Sequence, residues 1–331
     1  MRDAQSRRPG GRWEDVNALD PGTRGPRLLR HGGTRYELQE RLGSGGMGDV
    51  HAARIVGGLE QRVCVKRLAG RLAPTHAEAL RAEARVLARV RHSNVVSLLA
   101  FADGDGDGLE DADGGPFLVL ELVDGLDLRA LCAGLAPDHV AHSVAVHVAC
   151  ALLRALAAVQ RCLPGLVHRD VTPQNVLVST HGEVKLGDFG IALARDRTCW
   201  IRPHLVKGKP GYMSPEQIRG DEIDPRSDLF AVGIVLYELL TGERPWRTGA
   251  AGGSLREMID VVHRAPVPIA VRCPSIDPGL AAAVERLVAR CPADRFATAE
   301  DALRAVACFG AGELGSLRLA SFVAAAGGCG A

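Results

Sequence analysis

His168-Arg169-Asp170-Val171-Thr172-Pro173-Gln174-Asn175 sets an imidazole, a guanidinium, a carboxylate and an amide in one short run, and Asp188-Phe189-Gly190 follows soon after. Asp170 is a candidate general base, and the side-chain oxygens of Asn175 and Asp188 are hard ligands of the kind Mg²⁺ takes. The set suits a reaction in which a proton is accepted while negative charge is neutralised, as in phosphoryl transfer. Each piece alone carries little, because charged and amide side chains are common in any polar loop.

Phosphates would need a cradle, and Gly43-Ser44-Gly45-Gly46-Met47-Gly48 offers one. It separates two alternating stretches, Tyr36–Leu42 and Asp49–Ile55, so a β-hairpin is expected whose glycine turn lets backbone N–H groups approach a ligand. The same glycine spacing occurs in dinucleotide folds, but there a helix follows the glycines and an acidic residue lies about 20 positions on. Here Val50 begins a strand, and the motif by itself stays open between a nucleotide loop and a plain turn. Arg62–Lys66 reads as a strand ending in a lysine. Pro74–Val90 reads as a helix with Thr75 as N-cap, from which Glu83 could reach Lys66 as an ion pair. Val95–Phe101 and Phe117–Val123 read as buried strands. The Asp/Gly alternation between them lacks the closing acid and the flanking helices of a calcium loop, and reads as a flexible connection.

Beyond Asp124-Gly125 the pattern turns helical: Leu126–Ala133, Pro137–Cys162, Asp228–Leu240, Leu255–His263, Pro278–Ala289 and Thr298–Cys308, with a small hairpin of Val176–Val178 and Glu183–Leu186. Residues 1–33, rich in Arg, Gly and Pro, read as a disordered leader, and 309–331 as a short frayed tail. That leaves a domain at 34–308, with a strand-rich lobe at 34–123 and a helical lobe at 124–308. The fold class expected is α+β, and 331 residues suffice for a well-buried core. Forty Lys and Arg against 39 Asp and Glu give no electrostatic case for nucleic acid. The nine cysteines show no C-x-x-C pair and no zinc spacing, as in a reduced compartment. No signal-peptide core and no run of roughly 18 apolar residues is present, so a soluble, cytoplasmic protein without a membrane span is expected.

Taken in order, the glycine loop, strand lysine, helix glutamate, His168-Arg169-Asp170-x-x-x-x-Asn175, Asp188-Phe189-Gly190 and Pro215-Glu216 resemble the protein kinase signature set. They most resemble the bacterial eukaryotic-like (Hanks-type) serine/threonine kinases, to which Gly211-Tyr212-Met213-Ser214-Pro215-Glu216-Gln217 and Asp228-Leu229-Phe230-Ala231-Val232-Gly233 are also similar. The similarity runs from about Tyr36 to Cys308. It implies a two-lobed kinase fold, an antiparallel sheet with one helix followed by a mostly helical lobe. It also implies transfer of the γ-phosphoryl of ATP, with Mg²⁺ or alternatively Mn²⁺, to Ser/Thr hydroxyls of protein substrates, including its own through a transient homodimer.

By resemblance, Lys66 holds the α- and β-phosphates and is itself held by Glu83, Asn175 and Asp188 bind the metal, and Asp170 accepts or orients the hydroxyl proton. The nucleotide lies against Leu42, Gly43, Ser44, Gly45, Gly46 and Gly48 of the glycine loop, with Val50, Cys64 and Leu177 about the adenine. Leu120 matches the gatekeeper, and the backbone of Glu121–Val123 the hinge. Cys64 is expected to be a small apolar filler. Asp228 supports the catalytic loop, Arg295 pairs with Glu216, and Leu87, Leu98, His168 and Phe189 form a packed column.

The chain departs from the pattern in a paired way. Serine/threonine kinases carry a lysine two residues after the catalytic aspartate and a threonine shortly before the Pro-Glu pair. Here those positions hold Thr172 and Lys209. A missing cation beside developing phosphoryl charge is costly, so Lys209 is expected to reach back toward Thr172 and Asp170 and to count among the catalytic residues. Thr198, the only aliphatic hydroxyl between Ile191 and Met213, is the expected autophosphorylation site, with Arg169 as its docking cation. Two other readings stand beside the active serine/threonine kinase. A pseudokinase scaffold is favoured by Thr172 and opposed by the joint presence of Lys66, Glu83, Asp170, Asn175 and Asp188. A tyrosine kinase is disfavoured by Thr172-Pro173-Gln174, where those enzymes carry Ala-Ala-Arg or Arg-Ala-Ala.

Overall fold

The computed structural model describes residues 28–45, 48–57, 61–68, 74–104, 115–133, 140–189, 209, 211–246, 255–310 and 313–328. In chain order the elements are β1 (Leu28–His31), β2 (Thr34–Gly45), β3 (Gly48–Val56), β4 (Arg62–Arg67), α1 (Pro74–Leu87), β5 (Leu98–Ala102), β6 (Phe117–Glu121), β7 (Gly125–Asp127), α2 (Leu128–Ala133), α3 (His142–Cys162), β8 (Val176–Ser179), β9 (Val184–Leu186), α4 (Pro215–Arg219), α5 (Arg226–Thr241), α6 (Leu255–His263), α7 (Ile269–Arg272), α8 (Pro278–Leu287), α9 (Ala299–Ala307) and α10 (Glu313–Gly328). The first six strands form one antiparallel sheet in the order β1-β2-β3-β4-β6-β5. The last three form a small sheet, β7-β8-β9.

The two-residue period of β4 sorts its side chains. Val63 and Val65 enter a core shared with Leu29, Tyr36, Ala53, Phe117 and Val119, which leaves Cys64 and Lys66 on the opposite face, toward the cleft. In α1, Leu80, Ala84 and Leu87 make an apolar stripe at helical spacing. Glu83 lies in the middle of that stripe and is only 3% exposed, so it needs a charged partner across the cleft.

The helical part is built around α3, which packs on α5, α9 and α10. By length and composition α3 could cross a membrane, but 78% of its apolar window is buried inside the protein, as in the core helix of a helical bundle. A short stitch joins the two parts. Val96 N–H donates to Leu186 O at 3.0 Å, Leu186 N–H donates to Asn94 O at 2.9 Å, and Val95 and Leu186 form a parallel bridge.

Several elements differ from the sequence reading. Leu28–His31, expected in the leader, is β1: it pairs with Thr34–Glu37, and Leu29 joins the core of the sheet. The expected frayed tail contains α10, whose Leu319 and Val323 are buried on the helical core. Gly315 lets this helix approach closely, because a Cβ there would lie 2.7 Å from the His147 side chain. The expected helix from Leu126 begins at Leu128, since Gly125–Asp127 instead pairs with Leu177–Ser179. The expected strand from Val95 begins at Leu98, because Val95 and Val96 are drawn into the stitch. Pro137 and most of the Asp/Gly connection lie outside the described residues.

Candidate active site

A cleft of about 440 Å³ lies between the sheet and the helical part. It is lined by Leu42, Gly43 and Val50 from the glycine hairpin, Cys64 and Lys66 from β4, and Glu83 from α1. Leu120, Glu121 and Val123 line it along the connection between the two parts, and Asn175, Leu177 and Asp188 line it from the helical part. Ser44, Gly45 and Gly48 fall in the hairpin tip, paired as Ser44 with Asp49 and Gly45 with Gly48, and Ser44 and Gly48 do not line the cleft. Gly46, Gly190 and Thr198 lie outside the described residues.

Sequence reasoning did not single out Val96, Gln174 or Asp127, which also line the cleft. Val96 reaches it through the stitch, which no local pattern announced. Asp127 caps the start of α2, accepting Ala130 N–H at 2.8 Å, and its aspartate type was the only signal available.

Two of the glycines are glycine for different reasons. At Gly48 φ is 123°, and a Cβ would lie 2.0 Å from Arg67 O, so the backbone of the hairpin demands it. At Gly43 a Cβ would meet nothing within 4 Å, so packing imposes no such demand. That position leaves a bare backbone beside the cleft, as a cradle for phosphates would.

Lys66 is the electrostatic centre. Its Nζ lies 2.7 Å from Glu83 Oε2 and 2.7 Å from Asp188 Oδ1. Burial alone would depress the ammonium, but the two carboxylates outweigh it and hold Lys66 charged above its ordinary value. Desolvation likewise works against ionisation of Asp188, and Lys66 overcomes it, so that carboxyl sits below its usual range. Burial pushes the Cys64 thiol up to about 11, which keeps it a protonated filler.

The catalytic loop is held by buried groups. Asp228 accepts the backbone N–H groups of His168 and Arg169 at 2.7 and 2.9 Å. Burial pushes its carboxyl up, so these donors are what the buried group has in compensation. His168 Nδ1 accepts Asp170 N–H at 3.3 Å, which leaves Nε2 as the donor to Gly187 O at 3.2 Å. The ring, 4.5 Å from that of Phe189, is therefore fully engaged in structure. Leu87 and Phe189 are buried in one hydrophobic cluster against which Leu98 packs, and His168 meets it through the ring of Phe189. Arg169 and Asp188 take positive φ, 70° and 53°, strain of order 1–3 kcal/mol each that the surrounding bonds must sustain.

Asp170 and Asn175 form a unit. Asn175 Nδ2 donates to Asp170 Oδ2 at 2.7 Å and to Asp170 O at 2.8 Å. Among the described residues, Asp170 Oδ1 is buried without a hydrogen-bond partner. The amide thus spends its N–H groups on Asp170, and the atom left for a cation is its carbonyl oxygen. Together with the ionised Asp188 this makes a hard oxygen pair that fits Mg²⁺.

Lys209 Nζ donates to Thr172 Oγ1 at 3.3 Å, so the expected approach of these residues is present in the structure. Behind them, α4 opens with a capping box in which Ser214 and Gln217 satisfy each other's backbone N–H groups. Gln217 Nε2 also donates to Arg169 O at 3.1 Å. Glu216 receives Arg295 bidentately at 2.6 and 2.9 Å, as the resemblance implied.

The comparisons agree with this architecture. The family model for the protein kinase domain matches residues 36–306. The chain is 37% identical over 286 residues to the serine/threonine-protein kinase PknL of Mycobacterium tuberculosis, covering 85% of this chain and 67% of that protein. It is 35% identical over 274 residues to the serine/threonine-protein kinase PknB of Mycobacterium leprae, covering 82% of this chain and 42% of that protein. It therefore spans about two thirds of the first relative and under half of the second. The crystal structure of the Mycobacterium tuberculosis PknI kinase domain matches with a TM-score of 0.59 at 22% identity, over 83% of this chain and 96% of that one. At that identity the likeness concerns the fold.

Proposed function

The chain belongs to the protein kinase family, and on that premise we propose that its cleft moves the γ-phosphoryl group of ATP onto serine or threonine hydroxyls of protein substrates. The observation that carries this reading is the position of the Lys66 ammonium, shared between Glu83 on α1 and Asp188 across the cleft. Three parts of the chain far apart in sequence converge there on one fixed positive charge.

The division of labour follows from what each group has left to give. Lys66, kept ionised and immobile by its two carboxylates, presents its charge to the phosphate chain under the glycine hairpin. Val50, Cys64, Leu120, Val123 and Leu177 supply the apolar walls for the base. Glu121 is fixed in the connection, where it accepts Ser97 N–H at 2.8 Å and lies 3.1 Å from Lys185 Nζ. Mg²⁺, which kinases generally use with ATP, would be held by Asp188 and Asn175 and would neutralise phosphate charge there. Asp170 is oriented through Oδ2 by Asn175, which leaves Oδ1 to accept the proton of the attacking hydroxyl.

Thr172, the residue that favours a scaffold which binds without transferring, is outweighed by the joint presence of Lys66, Glu83 and Asp188 in one contact set and of Asp170 and Asn175 in another. The test is incorporation of label from γ-labelled ATP with Mg²⁺ into the protein itself or a generic protein substrate. The wild type should label serine and threonine, and Asp188→Asn should lower the rate by at least about 100-fold. Equal labelling by the variant, or none by the wild type, refutes the reading.

A further inference from the structure

We propose that Lys209 is the catalytic cation that faces the transferred phosphoryl group, and that it does so from the stretch before α4, steadied by the Thr172 hydroxyl of the catalytic loop. The inference rests on the kinase reading and specifies one charge within it.

Lys209 has an unusual set of partners. Its ammonium has three N–H donors, and among the described residues its hydrogen bond is to one neutral hydroxyl, Thr172 Oγ1 at 3.3 Å. No carboxylate lies within ion-pair distance of it among the described residues; burial lowers its ammonium from the ordinary value, with Arg129 adding to this, while Asp170, Asp188 and Asp127 act in the opposite sense. A lysine turned to solvent would be exposed, whereas this one is half-buried and touches the catalytic loop. A lysine serving only as a strut would have a carboxylate to close on. The charge of Lys209 is instead held beside Asp170 and left unneutralised at short range, which is what a group aimed at an anionic substrate requires.

Its placement is also built. Lys209 O accepts Tyr212 N–H at 3.1 Å, closing a turn into the capped start of α4. Gln217 of α4 in turn holds Arg169 O at 3.1 Å, one residue before Asp170. Thr172 is 1% exposed with extended backbone, so its hydroxyl is a fixed point. The lysine and the loop that carries the base are thus both tied to the start of the same short helix.

The test measures kcat, KM for ATP, nucleotide binding and melting temperature for Lys209→Met, and for the exchange variant Thr172→Lys with Lys209→Thr. Removing the charge at nearly constant volume should lower kcat by about 10²- to 10³-fold, with KM for ATP and nucleotide binding changed by less than about threefold. The exchange, which returns the cation to the loop, should recover kcat to within about tenfold of wild type. A strut would show the opposite split, with a lowered melting temperature and no recovery on exchange. Lys209→Met turning over within about threefold of a wild type that depends on Asp188 overturns this inference alone. A wild type that does not transfer at all overturns it together with the kinase reading.

Discussion

Replacing Arg295 with Met should destabilise the helical part severely, and the structure allows the size to be worked out. The guanidinium side chain is 0% exposed, and all five of its N–H groups have acceptors. Two go to Glu216, at 2.6 and 2.9 Å, and three go to the carbonyls of Ala289, Arg226 and Arg290, at 2.7, 3.0 and 3.1 Å. The ring of Phe230 lies 4.8 Å from the guanidinium carbon. Methionine fills the volume but leaves Glu216, 3% exposed, with Ser227 Oγ at 2.7 Å as its remaining side-chain donor. Breaking one partner of a buried pair costs about 3–5 kcal/mol, a large share of a typical stability of roughly 5–15 kcal/mol.

At about 2–4 °C per kcal/mol for a part of this size, Arg295→Met should melt roughly 6–20 °C below wild type. Urea unfolding followed by far-UV circular dichroism and by tryptophan fluorescence would give the free energy. Adding Glu216→Gln should recover part of the loss, because the stranded charge is then gone. The pH dependence has a defined sign. Burial raises the Glu216 carboxyl, but Arg295 outweighs it and holds the folded value below the ordinary 4.5. The stability from the pair is therefore full above that value and is lost as pH falls through the lower folded one. In Arg295→Met the stranded carboxyl loses the partner that lowers it, so the gap between the two proteins should narrow below about pH 4.5. A loss under about 1 kcal/mol at neutral pH, or a gap that widens in acid, would refute the reasoning.

Three other outcomes are expected. Gly48→Ala should cost about 1–3 kcal/mol from backbone strain alone and more from the contact with Arg67 O. Gly43→Ala should leave stability within about 0.5 kcal/mol while weakening nucleotide binding, and melts with and without MgATP would separate the two. Ending the chain after Gly310 removes α10 and uncovers the sites of Leu319 and Val323. At about 1.5–3 kcal/mol per buried aliphatic chain this should cost roughly 3–6 kcal/mol, and an unchanged melting temperature would show α10 to be dispensable.

The chemistry of the site was legible because its residues sit in short runs with characteristic neighbours: Lys66 at the end of a β-strand, Glu83 on a helix stripe, Asp170 and Asn175 five apart. The exchange of Thr172 and Lys209 was legible too, since each looks odd alone and sensible beside the other. What stayed hidden depends on docking. Leu28–His31 is too short to declare a strand without Thr34–Glu37 opposite. Helix α10 is rich in Ala and Leu, but Gly315 in its first turn and the glycines at its end break the helical signal. It owes its place to the fit of Gly315 against His147 and of Ser316 against Gly182, where a Cβ would lie 2.2 Å from Ser316 O. The β7 strand was read as helix because Leu126 and Asp127 carry no signal of the partner strand that captures them.

The stitch at Asn94–Val96 has a mechanical consequence. It fastens the chain that follows α1 to β9, so α1 is tethered at its C-terminal end to the helical part while β4 belongs to the sheet. Helix α1 also packs on β5 and β6 of the sheet, so a rotation of the sheet away from the cleft floor would carry Lys66 and Glu83 together and draw Lys66 away from Asp188. The contact between Lys66 and Asp188 is therefore the one that such a motion lengthens. A pair of labels on β4 and β9 would serve as a gauge of cleft opening.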